Sequence, residues 1–107
     1  MQWTQEEIKK IVEGNPVVVF GKGEKNMAMC GFSNRAYQIL ESCGQPYEVV
    51  NIFKDESLRP ALVAYSDFPT TPQIFIGGEL IGGSDIAMEL HESGDLKKKI
   101  EAAHGVA

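Results

Sequence analysis

The sequence predicts an α/β fold with the element order αβαβαββαα, on three observations. Pro16-Val17-Val18-Val19-Phe20 is a continuous apolar run, short enough to be a strand buried on both faces. Pro46 to Phe53 carries a second β-branched run, Val49, Val50 and Ile52, placed after a helix of about a dozen residues, so that strand, helix, strand implies a right-handed parallel βαβ unit. Gln73 to Ile81 divides into Ile74-Phe75-Ile76 and Glu79-Leu80-Ile81, hinged at Gly77-Gly78, which is a hairpin signal.

Each element has its own signals. Thr4-Gln5-Glu6-Glu7 reads as a capping box, followed by Ile8, Ile11 and Val12 at helical spacing and Gly14 as the stop. After the first strand, Gly21 to Asn26 reads as a polar loop. A second helix runs through Asn34 to Ser42, with Ala36, Ile39 and Leu40 at helical spacing and Gly44 where a C-terminal stop belongs. Asp55 or Ser57 can cap a third helix carrying Leu58, Leu62, Val63 and Tyr65. Pro60 is tolerated there only in the first turn, so this helix is expected to begin at Ser57. Gly82-Gly83 ends the sheet, Ser84 or Asp85 caps a helix with Ile86 and Leu90, and Gly94 separates it from a last helix through Leu96 and Ile100.

The chain of 107 residues, 43% hydrophobic, suits one domain spanning residues 1–107, able to bury a core without disulfide or metal staples. A formal net charge of −5 argues against a nucleic-acid footprint, which needs clustered Lys and Arg on one face. The only basic cluster, Lys97-Lys98-Lys99, reads as the solvated face of a terminal helix. No stretch approaches the ~20 apolar residues of a bilayer span, and the N-terminus lacks the basic-then-apolar order of a signal peptide. A soluble protein without membrane partners is expected. Two cysteines make no disulfide framework, and if Cys30 and Cys43 bracket one helix they lie roughly 20 Å apart, whereas a disulfide needs Cα atoms within about 7 Å. A reducing compartment is the consistent setting.

Met29-Cys30-Gly31-Phe32-Ser33-Asn34-Arg35 falls at a strand-to-helix junction with a lone thiol at its tip. At or just before a helix N-terminus, free amides and the positive end of the macrodipole favour a thiolate, the reactive and metal-ligating form. On local context alone, a small buried core cysteine is the alternative. His91, on a polar helix face, and His104, in a C-terminus expected to fray, read as bystanders.

Cys30-Gly31-Phe32-Ser33 resembles the CGFS signature of monothiol glutaredoxins. Lys22-Gly23 upstream, Arg59, Pro69-Thr70-Thr71-Pro72-Gln73 and Gly82-Gly83-Ser84-Asp85 fall where that family has its own motifs, so the likeness covers nearly the whole chain. It implies the thioredoxin fold, a four-stranded mixed sheet flanked by helices. Three departures stand out: Met27-Ala28-Met29 where the family usually carries prolines, Pro60 within the third helix, and Ser84 where many relatives have a second cysteine. That last departure excludes an intramolecular disulfide with Cys30 at this position.

Ser33 stands where dithiol relatives carry a second thiol, so a Cys30 mixed disulfide must be resolved by an outside thiol. The resemblance implies glutathione. Lys22 and Arg59 suit one of its carboxylates, although by themselves they read as ordinary surface charges. Gly83, Ser84 and Asp85 offer helix amides to the other carboxylate, with Asp85 beside the α-ammonium. An X-Pro bond is ordinarily trans. The resemblance instead implies a cis Thr71-Pro72 bond facing the thiol, with Thr71 pairing with glutathione as an added strand.

The same resemblance implies a carrier of a 2Fe-2S cluster. Such a cluster takes four thiolates and this chain offers one, so Cys30 from each of two chains and two glutathione thiols complete the set in a cluster-bound homodimer. Apo iron–sulfur acceptor proteins are the implied recipients and BolA-like proteins the implied partners. The implied location is cytoplasmic, or a mitochondrial or plastid matrix after removal of a transit peptide. The alternative is a glutathione-dependent thiol-disulfide oxidoreductase with Cys30 as nucleophile, an activity for which monothiol members are generally poor.

Overall fold

The structure is a computed structural model and describes residues 2–105. Helix α1 (Gln5–Gly14) starts at the predicted capping box: the Glu7 amide donates to Thr4 Oγ1 at 3.4 Å and the Thr4 amide donates to the Glu7 carboxylate at 3.2 Å. Two otherwise free donors are thereby satisfied. Strand β1 (Val17–Gly21) follows and is buried along its whole length.

β1 is central in a four-stranded sheet. It pairs in parallel with β4 (Glu48–Asn51), reached through helix α2 (Gly31–Ser42), and antiparallel with β5 (Gln73–Ile76). β6 (Glu79–Gly82) closes the order β4-β1-β5-β6 as an antiparallel hairpin with β5, turning at Gly77-Gly78 as predicted. The unbroken apolar run of β1 follows from this position. Val17 and Val19 pack with Ala36, Leu40, Leu96 and Ile100 on one face, while Val18 and Phe20 pack with Ile8, Val12, Leu58 and Leu62 on the other. Side chains alternate along a strand, so covering both faces demands hydrophobic residues at every position. Each fully buried residue of this size contributes roughly 1.5–3 kcal/mol, which fixes the register.

Helix α3 (Leu58–Ser66) has Ser57 as N-cap, which puts Pro60 in the first turn as expected. Asp55 organises the entry: its Oδ1 accepts from the Ser57 amide at 2.8 Å and from the Ser57 hydroxyl at 2.7 Å. Helices α4 (Ser84–Ser93) and α5 (Asp95–Ala103) complete the layer over α2, with Gly94 between them. Lys97, Lys98 and Lys99 are exposed on α5 while Leu96 and Ile100 turn inward. Among the described residues no helix is long and apolar enough to cross a membrane.

Several details differ from the sequence reading: the second β-branched run leaves the sheet after Asn51, with Ile52–Lys54 in a 3-10 turn that buries Ile52 in the core, and α2 begins at Gly31 rather than Asn34. The polar loop after β1 is a small antiparallel hairpin, β2 (Gly23–Glu24) with β3 (Met27–Ala28). Its strands are too short to give an alternation signal. The N-cap of α4 is Gly83, not Ser84 or Asp85; Ser84 is the first helical residue and is buried. His104 does not fray: it is the C-cap of α5, and its Nε2 lies 2.8 Å from Pro46 O.

Candidate active-thiol site

Cys30 is the N-cap of α2, with extended backbone (φ −154°, ψ 137°) leading into the helix. Among the described residues the N-cap side chain makes no capping hydrogen bond here. The first-turn amides are therefore left for an anion, and the sulfur is the group beside them. The amides of Ser33 and then Phe32 hold the Cys30 thiol below its ordinary value, helped by the Lys22 ammonium and the Ser33 hydroxyl against a smaller opposing effect of burial. The thiol is only partly buried. It can therefore form a thiolate that a substrate sulfur or a metal can reach.

Lys22 enters the β2–β3 hairpin beside this thiol, and the side chains of Ser33, Asn51 and Tyr37 hold the hairpin down. Lys22 N donates to Ser33 Oγ at 2.9 Å, Gly23 N donates to Asn51 Oδ1 at 3.0 Å, and Tyr37 Oη donates to Gly23 O at 2.9 Å. Met29 N closes the hairpin onto Lys22 O at 2.8 Å. Gly23 has φ +101°, and a Cβ there would collide with Met27 O, so only glycine fits. Burial, and then the charges of Glu24 and Cys30, push the Tyr37 phenol up to about 12, so it stays a hydrogen-bond donor. Ser33 is thus a buried anchor for the Lys22 loop.

On the other flank, Phe32 faces a cleft whose wall includes Thr71, Pro72, Gly83, Ser84 and Asp85. The Thr71-Pro72 peptide is cis. Gly83 lies so close to Pro72 that a Cβ would stand 3.2 Å from its carbonyl oxygen, which brings the N-terminus of α4 against the proline loop. Asp85 is exposed and faces Arg35 of α2 at 3.9 Å. Arg59, at the start of α3, is exposed, with Nη2 3.5 Å from Pro69 O, at the long limit of a hydrogen bond. The structure thus gathers Thr71, Gly83, Ser84 and Asp85 into one cleft, places Lys22 by the thiol, and sets Arg59 beside the loop that leads into the cleft.

Cys43 has the opposite environment. It is the C-cap of the same helix, 5% exposed, and its thiol donates to Ile39 O at 3.4 Å. Burial pushes its thiol up. Among the described residues, no group of three or more His, Cys, Asp or Glu side chains is placed to hold a metal ion.

Sequence reasoning missed Ser33, Tyr37, Asn51 and Gln73 as parts of the site's scaffold, and Arg35 as the partner of Asp85. For Tyr37 and Asn51 the sequence carried no local signal, because their hydrogen bonds join residues 14 and 28 positions apart. Gln73 did carry one, a polar residue at the head of an otherwise apolar strand.

Comparison with known proteins agrees with this geometry. Residues 17–81 match the glutaredoxin family model. The chain is 43% identical to the ycf64-like monothiol glutaredoxin of Synechocystis sp. over 94% of both chains. It is 46% identical to the chloroplastic monothiol glutaredoxin-S14 of Arabidopsis thaliana over 90% of this chain, and the match spans 56% of that longer protein. The crystal structure of a buckwheat glutaredoxin–glutathione complex aligns with a TM-score of 0.83 at 28% identity, over 96% of this chain and 92% of that one. The sheet order, the cis proline and the thiol-bearing helix are those of the thioredoxin fold. The chain belongs to the glutaredoxin family, in its monothiol branch.

Proposed function

We propose that this protein carries a 2Fe-2S cluster, held as cargo between two copies of the chain by Cys30 of each and by two glutathione thiols. One observation carries the reading: a single accessible thiol of lowered pKa stands at the N-terminus of α2, and the other cysteine is buried at the far end. One chain supplies one thiolate where a cluster needs four. Glutathione thiols supply the rest of the set and exchange readily, which suits delivery of a cluster to apo acceptor proteins. BolA-like proteins are the proposed alternative partners.

In this reading Lys22 and Arg59 hold one glutathione carboxylate, Thr71 pairs with its backbone, and Gly83 and Ser84 amides receive the other carboxylate. Asp85 exchanges Arg35 for the α-ammonium. The proposed setting is a reducing compartment, the cytoplasm or a mitochondrial or plastid matrix. The test is anaerobic reconstitution with iron, sulfide and glutathione, followed by an absorption spectrum and gel filtration. A visible cluster spectrum eluting with a dimer is expected, from an apo protein that is largely monomeric. A loaded monomer, or no cluster in the presence of glutathione, sinks the proposal.

The second reading is glutathione-dependent reduction of protein–glutathione disulfides, favoured by the lowered Cys30 thiol. Its thiolate attacks the glutathione sulfur and expels the protein thiolate, and a second glutathione then attacks the Cys30 mixed disulfide, regenerating the thiolate and releasing glutathione disulfide.

A further inference from the structure

Gln73 opens β5 in a sheet position fully closed to solvent, where its neighbours along the strand are Ile74, Phe75 and Ile76. Its Nε2 donates to two carbonyls of the preceding loop, Phe68 O at 2.8 Å and Thr70 O at 3.1 Å. Two acceptors on one nitrogen fix the orientation of the amide. Its Oε1 is buried and has no partner among the described residues. A buried acceptor without a partner costs free energy, and an apolar side chain of the same length would avoid that cost. The amide is best explained by what its nitrogen does for the loop.

The loop gets little other support. Arg59 reaches Pro69 O at the long limit of a hydrogen bond, and the Phe68 amide takes Ser66 Oγ at 3.2 Å. Thr70 is exposed and Phe68 and Thr71 are half-buried, so side-chain packing alone does not enclose this segment. The same segment lines the cleft that ends at Asp85.

We infer that Gln73 is a positioning residue for glutathione: by clamping Phe68 O and Thr70 O from inside, it presets the backbone on which Thr71 meets the tripeptide. The inference rests on the proposed glutathione reading of this cleft. A clamp of this kind reduces the ordering that binding must otherwise accomplish, so it acts on affinity rather than on the thiol.

The test compares the wild-type chain with Gln73→Met, which keeps length and removes both the clamp and the orphan oxygen. The probe is S-methylglutathione, which cannot react with Cys30, titrated into labelled protein and followed by NMR. Binding is expected to weaken by about tenfold in Gln73→Met, with faster amide exchange at Thr70 and Thr71. The melting temperature should not fall, because losing the orphan oxygen offsets losing two bonds to carbonyls that water can then reach. The rate at which Cys30 reacts with iodoacetamide should stay within about twofold of wild type, since nothing at the α2 N-terminus changes. Equal affinity in the two proteins overturns the inference. So does a variant that loses stability along with affinity, which marks a merely structural residue; Gln73→Leu repeats the measurement if Gln73→Met does not fold. A wild-type chain that does not bind the probe overturns the glutathione reading itself and the inference with it.

Discussion

The two ends of α2 each hold a cysteine, and they differ in everything but residue type. At the N-terminal end Cys30 meets the Ser33 and Phe32 amides, the Lys22 ammonium and solvent, which hold its thiol below its ordinary value. At the C-terminal end Cys43 is enclosed in the packed layer of α2, α4 and α5, and burial pushes its thiol up. The helix dipole has opposite sign at its two ends, so it favours a thiolate at the first and disfavours it at the second. Placement along one helix therefore separates a thiol that favours the thiolate from one that burial keeps protonated. A reader counting cysteines would see a pair; the fold makes them unlike.

The largest expected effect breaks this contrast outright. Cys30→Ser should abolish cluster assembly, and Cys43→Ser should leave it intact at a stability cost of about 1 kcal/mol, since the serine hydroxyl can still donate to Ile39 O. In the native protein at neutral pH, iodoacetamide should label Cys30 alone, and both thiols only after denaturation. Equal loss of the cluster from the two substitutions, or equal labelling of the folded protein, sinks the one-thiol account.

Next in size is Lys22, which belongs to the N-terminal end of the comparison. A charge-assisted hydrogen bond in a partly enclosed groove is worth about 1.5–3 kcal/mol, against about 0.2–1 for an exposed pair. Lys22→Ala should therefore weaken glutathione binding and hasten cluster loss by several-fold to about a hundredfold, and raised glutathione should restore much of the lifetime by mass action. Cys30→Ser should show no such rescue. The measurement is cluster lifetime across a glutathione titration. A Lys22→Ala protein that decays like wild type at limiting glutathione removes the role given to Lys22.

How much of this could be read in advance depended on how local the cause was. The buried strand β1, the Thr4 capping box, the Gly77-Gly78 turn and the start of α3 all follow from residues adjacent in sequence, and each appears where the pattern put it. The position of Cys30 at a helix start was legible for the same reason. What the pattern did not yield was the scaffold beneath the site. Ser33, Tyr37 and Asn51 grip the Lys22 hairpin from α2 and β4, and Gln73 grips the proline loop from β5. In the linear chain these are a serine noted only for standing where relatives carry a thiol, a helical tyrosine and two amides. Their roles exist only once the sheet has brought distant segments together. The misassigned cap of α4 has a different origin: Gly83, Ser84 and Asp85 are all acceptable N-caps, and packing against Pro72 selects the glycine.

The smallest effect sharpens the comparison, because Tyr37 lies midway along α2 and ties only its N-terminal half to the hairpin. Its hydroxyl donates to Gly23 O at 2.9 Å, and the residue is 2% exposed. Removing the hydroxyl in Tyr37→Phe deletes one hydrogen bond and keeps the ring, so the loss of stability should be about 1 kcal/mol. The pH dependence gives the prediction its sign. The folded phenol, pushed up to about 12, lies above its ordinary value of 10, so protonated Tyr37 favours the folded state. That contribution is fully present below pH 10 and is lost as pH rises toward about 12. Wild-type stability should fall across this window, and Tyr37→Phe should fall less steeply; Tyr47, pushed up by burial and by Glu41, keeps its own share of the slope. Amide exchange should quicken across residues 22–29, while Cys43 stays as protected from iodoacetamide as in wild type. Denaturant melts between pH 8 and 12 decide it: parallel stability curves for the two proteins, or a Cys43 that becomes labelled, would show that Tyr37 supports the whole helix rather than the end that carries the reactive thiol.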